Sequence, residues 1–163
     1  MATHLAPIQF TQPEVGVYFG PSSLLQSNDR YPDTWLYYPS QTLKQGCGFR
    51  VIVPNNYVST AVMDVFGVTT ATSGAVNFDV AYRSIAVTES SDPSTDQETF
   101  ANTATTVPGT TMLIFLTSFD LTDANLAAGD LLTGILYRDA VDAADTLAAT
   151  YAVTHANLRY ADT

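Results

Sequence analysis

From residue 34 onward, apolar and polar positions alternate in short runs separated by turn residues. The runs are "TWLYYP" (34–39), "FRVIV" (49–53), "VSTAVMDVFGVT" (58–69), "AVNFDVAYRSIAV" (75–87), "TMLIFLTSF" (111–119), "LLTGILYR" (131–138) and "YAVTHANLRY" (151–160). They are rich in β-branched and aromatic residues, and most repeat with a period of two, which sends successive side chains to opposite faces of a strand. In 75–87, Val76, Phe78, Val80, Tyr82 and Ser84 fall on one face, and Asn77, Asp79, Ala81, Arg83 and Ile85 on the other. One apolar and one mixed face predict an antiparallel sheet packed on one side.

Between the runs lie "PSQTLKQGCG", "PNN", "TTATSGA" and the polar stretch "TESSDPSTDQETFANTATTVPGT" (88–110). A connection that long is commonly an interaction or lid element, and Phe100 is placed to pin it. Helix is scarce. "LTDANLAAGD" (121–130) can form one turn, with Asp123 as N-cap and Gly129 closing it, and "DAVDAADTLA" another. Seven to nine strands without a repeat of 20 to 50 residues predict an all-β fold, an antiparallel β-sandwich of jelly-roll type.

Residues 1–22 read as an extended N-terminal arm and 23–163 as a single β-sandwich domain. Pro7, Pro13 and Pro21 each remove a backbone donor and disfavour helix in the preceding residue. The arm still carries Ile8, Phe10, Val15, Val17 and Phe19, which need somewhere to be buried. Either the arm folds back as an edge strand or it lies across a neighbouring subunit.

Composition narrows the function classes. A chain of 163 residues fits one core. Its net charge is −10, and the six cations, Arg30, Lys44, Arg50, Arg83, Arg138 and Arg159, form no basic run. Nucleic-acid binding needs such cations to displace phosphate counterions, so DNA and RNA are excluded as direct ligands. The same charge opposes adsorption to anionic membranes. Residues 1–10 lack the basic start and apolar core of a signal peptide, and no stretch approaches the roughly 20 apolar residues of a membrane span. The single cysteine, Cys47, rules out an intrachain disulfide and fits folding in a reducing cytoplasm. Charged residues are only 13% of the chain, a thinly charged surface that fits cover by partner subunits.

The acidic connection holding Asp139, Asp142 and Asp145 is the first candidate for chemistry. A helical turn would line three carboxylates on one face and hold calcium weakly. Alternate-position ligands, a central glycine and a terminal glutamate are all missing, so a solvated turn with Arg138 as counter-charge is the simpler reading. Asp120, Asp123 and Asp130 serve more economically as caps and turn-makers. His4 and His155 are the only histidines, and Cys47 in "QGCGF" matches no nucleophile motif. Two histidines and one cysteine are too few for a zinc site without carboxylates. The expectation is therefore no catalytic residue, no cofactor and no metal. Tyr31, Trp35, Tyr37 and Tyr38 form an aromatic cluster suited to stacking on sugar faces or to packing in a core or interface. Within the strand, Trp35 and Tyr37 would point one way and Leu36 and Tyr38 the other.

The stretch "TSFDLTDANLAAGDLLTGILYRDAVDAADTLAATYAVTHANLRYAD" resembles a module of small jelly-roll structural proteins of tailed bacteriophages. The shared features are spaced leucines in a turn, Gly-Asp opening a strand, Arg-Asp closing it, "DAADT", and a last strand ending in Arg-Tyr. The resemblance covers about 50 residues. It implies a capsid decoration or cement protein, made in the host cytoplasm and located on the virion surface. Its partners would be the major capsid protein and itself, a trimer being favoured over a dimer. In that reading Ile8, Phe10, Val15, Val17 and Phe19 contact the capsid or a sister subunit, and avidity from several weak contacts does the work. The alternatives are a carbohydrate-binding β-sandwich with a platform around Trp35, or a tail-fibre or baseplate domain.

Overall fold

The computed structural model describes residues 2–11, 20–21, 23–26, 34–38, 44–90, 98–121 and 125–162, with backbone alone for 11, 20–21, 23–26, 34–38 and 98–101. Twelve strands lie among them: β1 (Thr3–Pro7), β2 (Gln9–Thr11), β3 (Gly20–Pro21), β4 (Ser23–Gln26), β5 (Thr34–Tyr38), β6 (Lys44–Ile52), β7 (Ser59–Thr69), β8 (Ala75–Ile85), β9 (Glu98–Thr106), β10 (Phe115–Asp120), β11 (Leu131–Asp139) and β12 (Tyr151–Ala161). The first sheet runs β10-β7-β12-β5-β4, with β1 paired to β12 as well. The second runs β2-β6-β11-β8-β9, with β3 in a short parallel pairing to β6. Within these sheets β5–β12 take the orders β5-β12-β7-β10 and β6-β11-β8-β9, and every connection among them except β8–β9 changes sheet. That is the path of an eight-strand jelly roll, as the strand pattern predicts.

The two inner faces interdigitate as the period of two requires. Val76, Phe78, Val80 and Tyr82 of β8 are buried, as are Phe49 of β6, Leu132 and Leu136 of β11, Met63 and Val65 of β7, and Leu158 of β12. Removing such side chains from water contributes about 1.5–3 kcal/mol each. Two glycines make room for aromatic rings. A Cβ at Gly67 would strike the Tyr151 ring and hydroxyl, and one at Gly134 would meet the Ala81 carbonyl and, at 2.9 Å, Phe49 Cζ. Tyr151 in turn meets Phe78 and Phe115 edge-on, at 5.0 and 5.4 Å between ring centroids.

Residues 3–11 of the arm fold back onto their own chain. Thr3–Pro7 pair with Pro7↔Asn157 through Thr3↔Ala161, and Gln9–Thr11 pair with Arg50–Gly48 of the other sheet. Ile8 sits at the crossing, its amide bonded to the Ala156 carbonyl at 2.9 Å and its side chain in the core. A proline costs nothing on such an edge, where no ladder donor is required of it. A clasp closes the ends: Ala2 N donates to Asp162 Oδ1 at 3.0 Å, and His4 Nε2 lies 2.7 Å from Asp162 Oδ2. Burial acts to raise the Asp162 carboxyl, but the Ala2 amide and His4 outweigh it and hold the group below its ordinary value.

Two stretches expected as connections are strands. Lys44–Gly48, inside the Gly-rich "LKQGCG", extends β6, where Gly46 is covered by the neighbouring strand; a Cβ there would lie 2.8 Å from Tyr137 Cβ. Residues 98–106 of the polar stretch form β9, an edge strand with small polar residues in place of apolar ones. Thr105 Oγ1 accepts from Thr117 Oγ1 at 2.9 Å, and Thr103 Oγ1 donates to the Ser118 carbonyl at 3.5 Å, tying β9 to β10 across the open side. Hydrogen-bonded turns, not a helical turn, occupy 140–144.

Candidate functional site

In β7, Ala61, Met63 and Val65 are core residues, so Val62, Asp64 and Phe66 take the outer face of the first sheet. Leu116 of β10 and His155 of β12 stand opposite Phe66 on either side. A register shift between Val153 and His155 inserts Thr154 as an extra residue, a β-bulge of the kind that re-aims side chains. Thr154 Oγ1 secures the bulge by donating to the Phe66 carbonyl at 3.1 Å. The result is a row Leu116, Phe66, His155, with the two rings parallel within 8° and their centroids 4.3 Å apart. His155 is exposed and Phe66 half-buried.

Polar groups border this row. Asp64 accepts from Ser118 Oγ at 2.7 Å and from Arg159 Nε and Nη2 at 2.7 and 3.3 Å, and Asn157 faces Asp64 in the ladder. Burial opposes the Arg159 charge less than Asp64 favours it, and the guanidinium is raised further above its ordinary value, the hydrogen bond to Asp64 being the largest influence. The ladder aligns Tyr37 with Ala152 and Leu36 with Val153, so the next position, Trp35, falls level with the bulge residue Thr154. Trp35 and Tyr37 thus hold register positions on the outer side of the sheet, and Leu36 and Tyr38 on the inner side. Tyr31 lies outside the described residues, as do Val15, Val17 and Phe19.

Ile8 is a core residue and Phe10 packs partly against the core, so these two are engaged within their own chain. Cys47 is buried on the inner face of the second sheet, and the structure does not bring it to His155. The acidic connection is not solvated throughout. Arg138 and Asp145 bury their side chains together, Asp139 lies 2.6 Å from Lys44 Nζ, and Asp142 accepts from the Ala144 amide at 2.7 Å. Asp79 joins Lys44 at 3.2 Å, and Lys44 lies over the Tyr137 ring at 4.4 Å. Burial, aided by the Asp79 charge, pushes the Tyr137 hydroxyl up to about 12. Asp130 caps as expected, accepting from the Ala127 amide at 3.0 Å and Ser84 Oγ at 2.9 Å; Asp123 lies outside the described residues. Among the described residues no three His, Cys, Asp or Glu side chains converge as a metal site.

The histidine was visible in the sequence as a strand residue, but its ring pairing with Phe66 was not. A uniform two-residue alternation through "YAVTHANLRY" carries no mark of the bulge that brings His155 level with Phe66.

No family model matches the chain, and no curated protein matches it. Among solved structures it is similar to the arabinose-bound α-L-arabinofuranosidase MgGH51, at 13% identity and a TM-score of 0.43, over 98% of this chain and 23% of that one. It is similar to a family 11 carbohydrate-binding module from Clostridium thermocellum in complex with a β-1,3-1,4-mixed-linked tetrasaccharide, at 9% identity and a TM-score of 0.42, over 96% and 86%. A family 16 carbohydrate-binding module aligns at 13% identity and a TM-score of 0.31, over 80% and 74%. The chain spans under a quarter of the arabinofuranosidase.

Proposed function

We propose that the protein is a non-catalytic binding module that holds a saccharide on the outer face of its first sheet. The observation that carries this reading is the row Leu116, Phe66 and His155, raised at a bulge and bordered by Asp64, Ser118, Asn157 and Arg159. A sugar ring presents an apolar face and an equatorial set of hydroxyls. Flat rings supply the first contact and fixed carboxylate, amide and guanidinium groups the second. The register positions of Trp35 and Tyr37 extend the same face by one strand. The test is calorimetry with the mixed-linked tetrasaccharide and with arabinose as probes, alongside a wider glycan panel. Phe66→Ala and His155→Ala should each weaken binding at least about tenfold, or ~1.4 kcal/mol. Failure of the unaltered protein to bind any glycan would sink the reading.

A virion structural subunit is the second reading, and one observation favours it. Met112, Leu113, Ile114 and Leu116 are 47, 52, 56 and 43% exposed, beside and within the edge strand β10. Residues 111–119 hold no charge, and Met112 takes a φ of 59°, a left-handed conformation that costs about 1–2 kcal/mol. An uncharged apolar ridge on a sheet edge is the kind of surface that assembled proteins cover with a neighbour. Light scattering tests it: a defined trimer or dimer that dissociates in the double variant Leu113→Asp/Ile114→Asp supports assembly, and a monomer at all concentrations opposes it.

A further inference from the structure

The described cations of this acidic chain are almost all engaged. Lys44 is held by Asp79 and Asp139, Arg138 by Asp145 and Arg159 by Asp64, and Arg83 donates to the Ser90 carbonyl. Arg50 differs. Exposed on the outer face of β6, it has no acidic partner and no side-chain hydrogen bond among the described residues. With sixteen carboxylates against six cations on the chain, a guanidinium with no acidic partner among the described residues departs from the pattern.

Arg50 lines a cleft of about 430 Å³, within the size range of small-ligand sites. The floor is the outer face of the second sheet, where Ile52 lies two residues along β6 and Leu131 stands opposite Ile52 in the ladder. The wall is the corner where the chain passes from β1 to β2, giving Ala6, Pro7 and Gln9, with Gln9 opposite Arg50. The described lining therefore offers one positive group, one amide and a set of aliphatic surfaces, including an Ile52 that is 60% exposed.

We propose that this cleft binds the C-terminal carboxylate of a peptide that ends in an aliphatic residue. A guanidinium presents two parallel N–H groups that match the two oxygens of a carboxylate. A single cation balances a single charge, whereas a phosphate dianion would face a chain of net charge −10 with one counter-charge. Among the described residues no aromatic ring lines the cleft, so they offer no stacking surface of the kind a sugar acid would use, while Pro7, Ile52 and Leu131 suit an aliphatic side chain. Gln9 is placed to meet the last peptide group. The site lies on the second sheet, apart from the Phe66 and His155 face on the first.

The experiment is an NMR titration of the full chain with acetyl-Gly-Gly-Leu as the free acid, its C-terminal amide, glucuronate and inorganic phosphate. The free acid should shift the amides of Gln9, Arg50, Ile52 and Leu131, and the amidated peptide should bind at least tenfold more weakly. Arg50→Gln, a change at an exposed position, should abolish the difference between acid and amide while leaving the thermal transition unmoved. Equal binding of acid and amide, no shifts at the cleft with millimolar free acid, or glucuronate or phosphate binding as tightly as the peptide acid would each overturn the proposal.

Discussion

Arg138 and Asp145 meet as a fork, Nε to Oδ2 and Nη2 to Oδ1, both at 2.8 Å, with side chains 0% and 2% exposed. The pair organises the connection between β11 and β12. Arg138 Nη1 donates to the Ala149 carbonyl and Nη2 to that of Leu147, while Asp145 Oδ2 accepts from the Asn77 amide at 3.1 Å. Thr146 continues the seam, its amide donating to the Ala75 carbonyl at 2.9 Å. Removing one partner leaves the other charge buried and unpaired, so Asp145→Ala should cost about 3–5 kcal/mol. The double variant Arg138→Met/Asp145→Leu should recover part of that loss, because no charge is then stranded. Urea unfolding of the three proteins checks both statements; a double variant no more stable than Asp145→Ala would show that the carbonyl contacts, not the charge pair, dominate.

Ile8 is the hinge of the N-terminal crossing. Truncating it to alanine should cost about 2–5 kcal/mol, as for other buried aliphatic side chains. Deleting residues 2–11 should lower the melting temperature further, since β1, β2 and the Asp162 clasp go together. Differential scanning calorimetry reads this directly. An unchanged transition in the deletion would mean that the paired strands carry no stability.

Stability should fall at high pH. Tyr137 keeps its proton to about 12 in the folded chain against an ordinary value of 10.0, and the carboxylates of Asp139 and Asp79 outweigh burial to raise Lys44 as well. Both groups bind protons more tightly when folded, so their contribution is complete below pH 10 and is lost as pH rises through the folded values. Burial raises the Tyr151 hydroxyl in the same direction. Melting temperature against pH should therefore decline from pH 10 upward, and Tyr137→Phe should flatten the decline without removing it. A Tyr137→Phe curve parallel to that of the parent protein would contradict the assignment.

Gly67 is a packing requirement of the core. Alanine there would press on Tyr151 and, at 2.6 Å, on the Ala152 carbonyl. Overpacking of this kind costs about 1–3 kcal/mol. Tyr151→Phe in the same background should relieve only the hydroxyl part of the clash, leaving a deficit in chemical denaturation. A fully restored midpoint would place the whole strain on the hydroxyl.

The jelly roll was legible because the runs at 58–69, 75–87, 131–138 and 151–160 alternate over enough residues for one face to declare itself. Val76, Phe78, Val80 and Tyr82 lie where that alternation puts them. β9 was hidden because its inward positions, Thr103 and Thr105, satisfy hydrogen bonds across the sandwich edge instead of filling a core. The start of β6 was hidden by its glycines, of which Gly46 leaves room for Tyr137 on the adjacent strand. Arg138 was recognised as a counter-charge to the acidic connection, but its complete burial depends on carbonyls contributed by residues 147 and 149, which no local pattern announces. The Phe66 and His155 pairing depends on a one-residue insertion that only the ladder shows.

The pairing of β1 with β12 has a consequence for how the chain is made. Ala2 and Asp162 are hydrogen-bonded across 160 positions of sequence, so β1 is synthesised well before β12, the strand it pairs with among the described residues. During synthesis β1 waits for that partner, and such long-range closure is slow. Order of synthesis and order of placement are opposed here: β1 is made before β12 yet can be seated only after it, and until then β12 of a sister chain offers the same ladder.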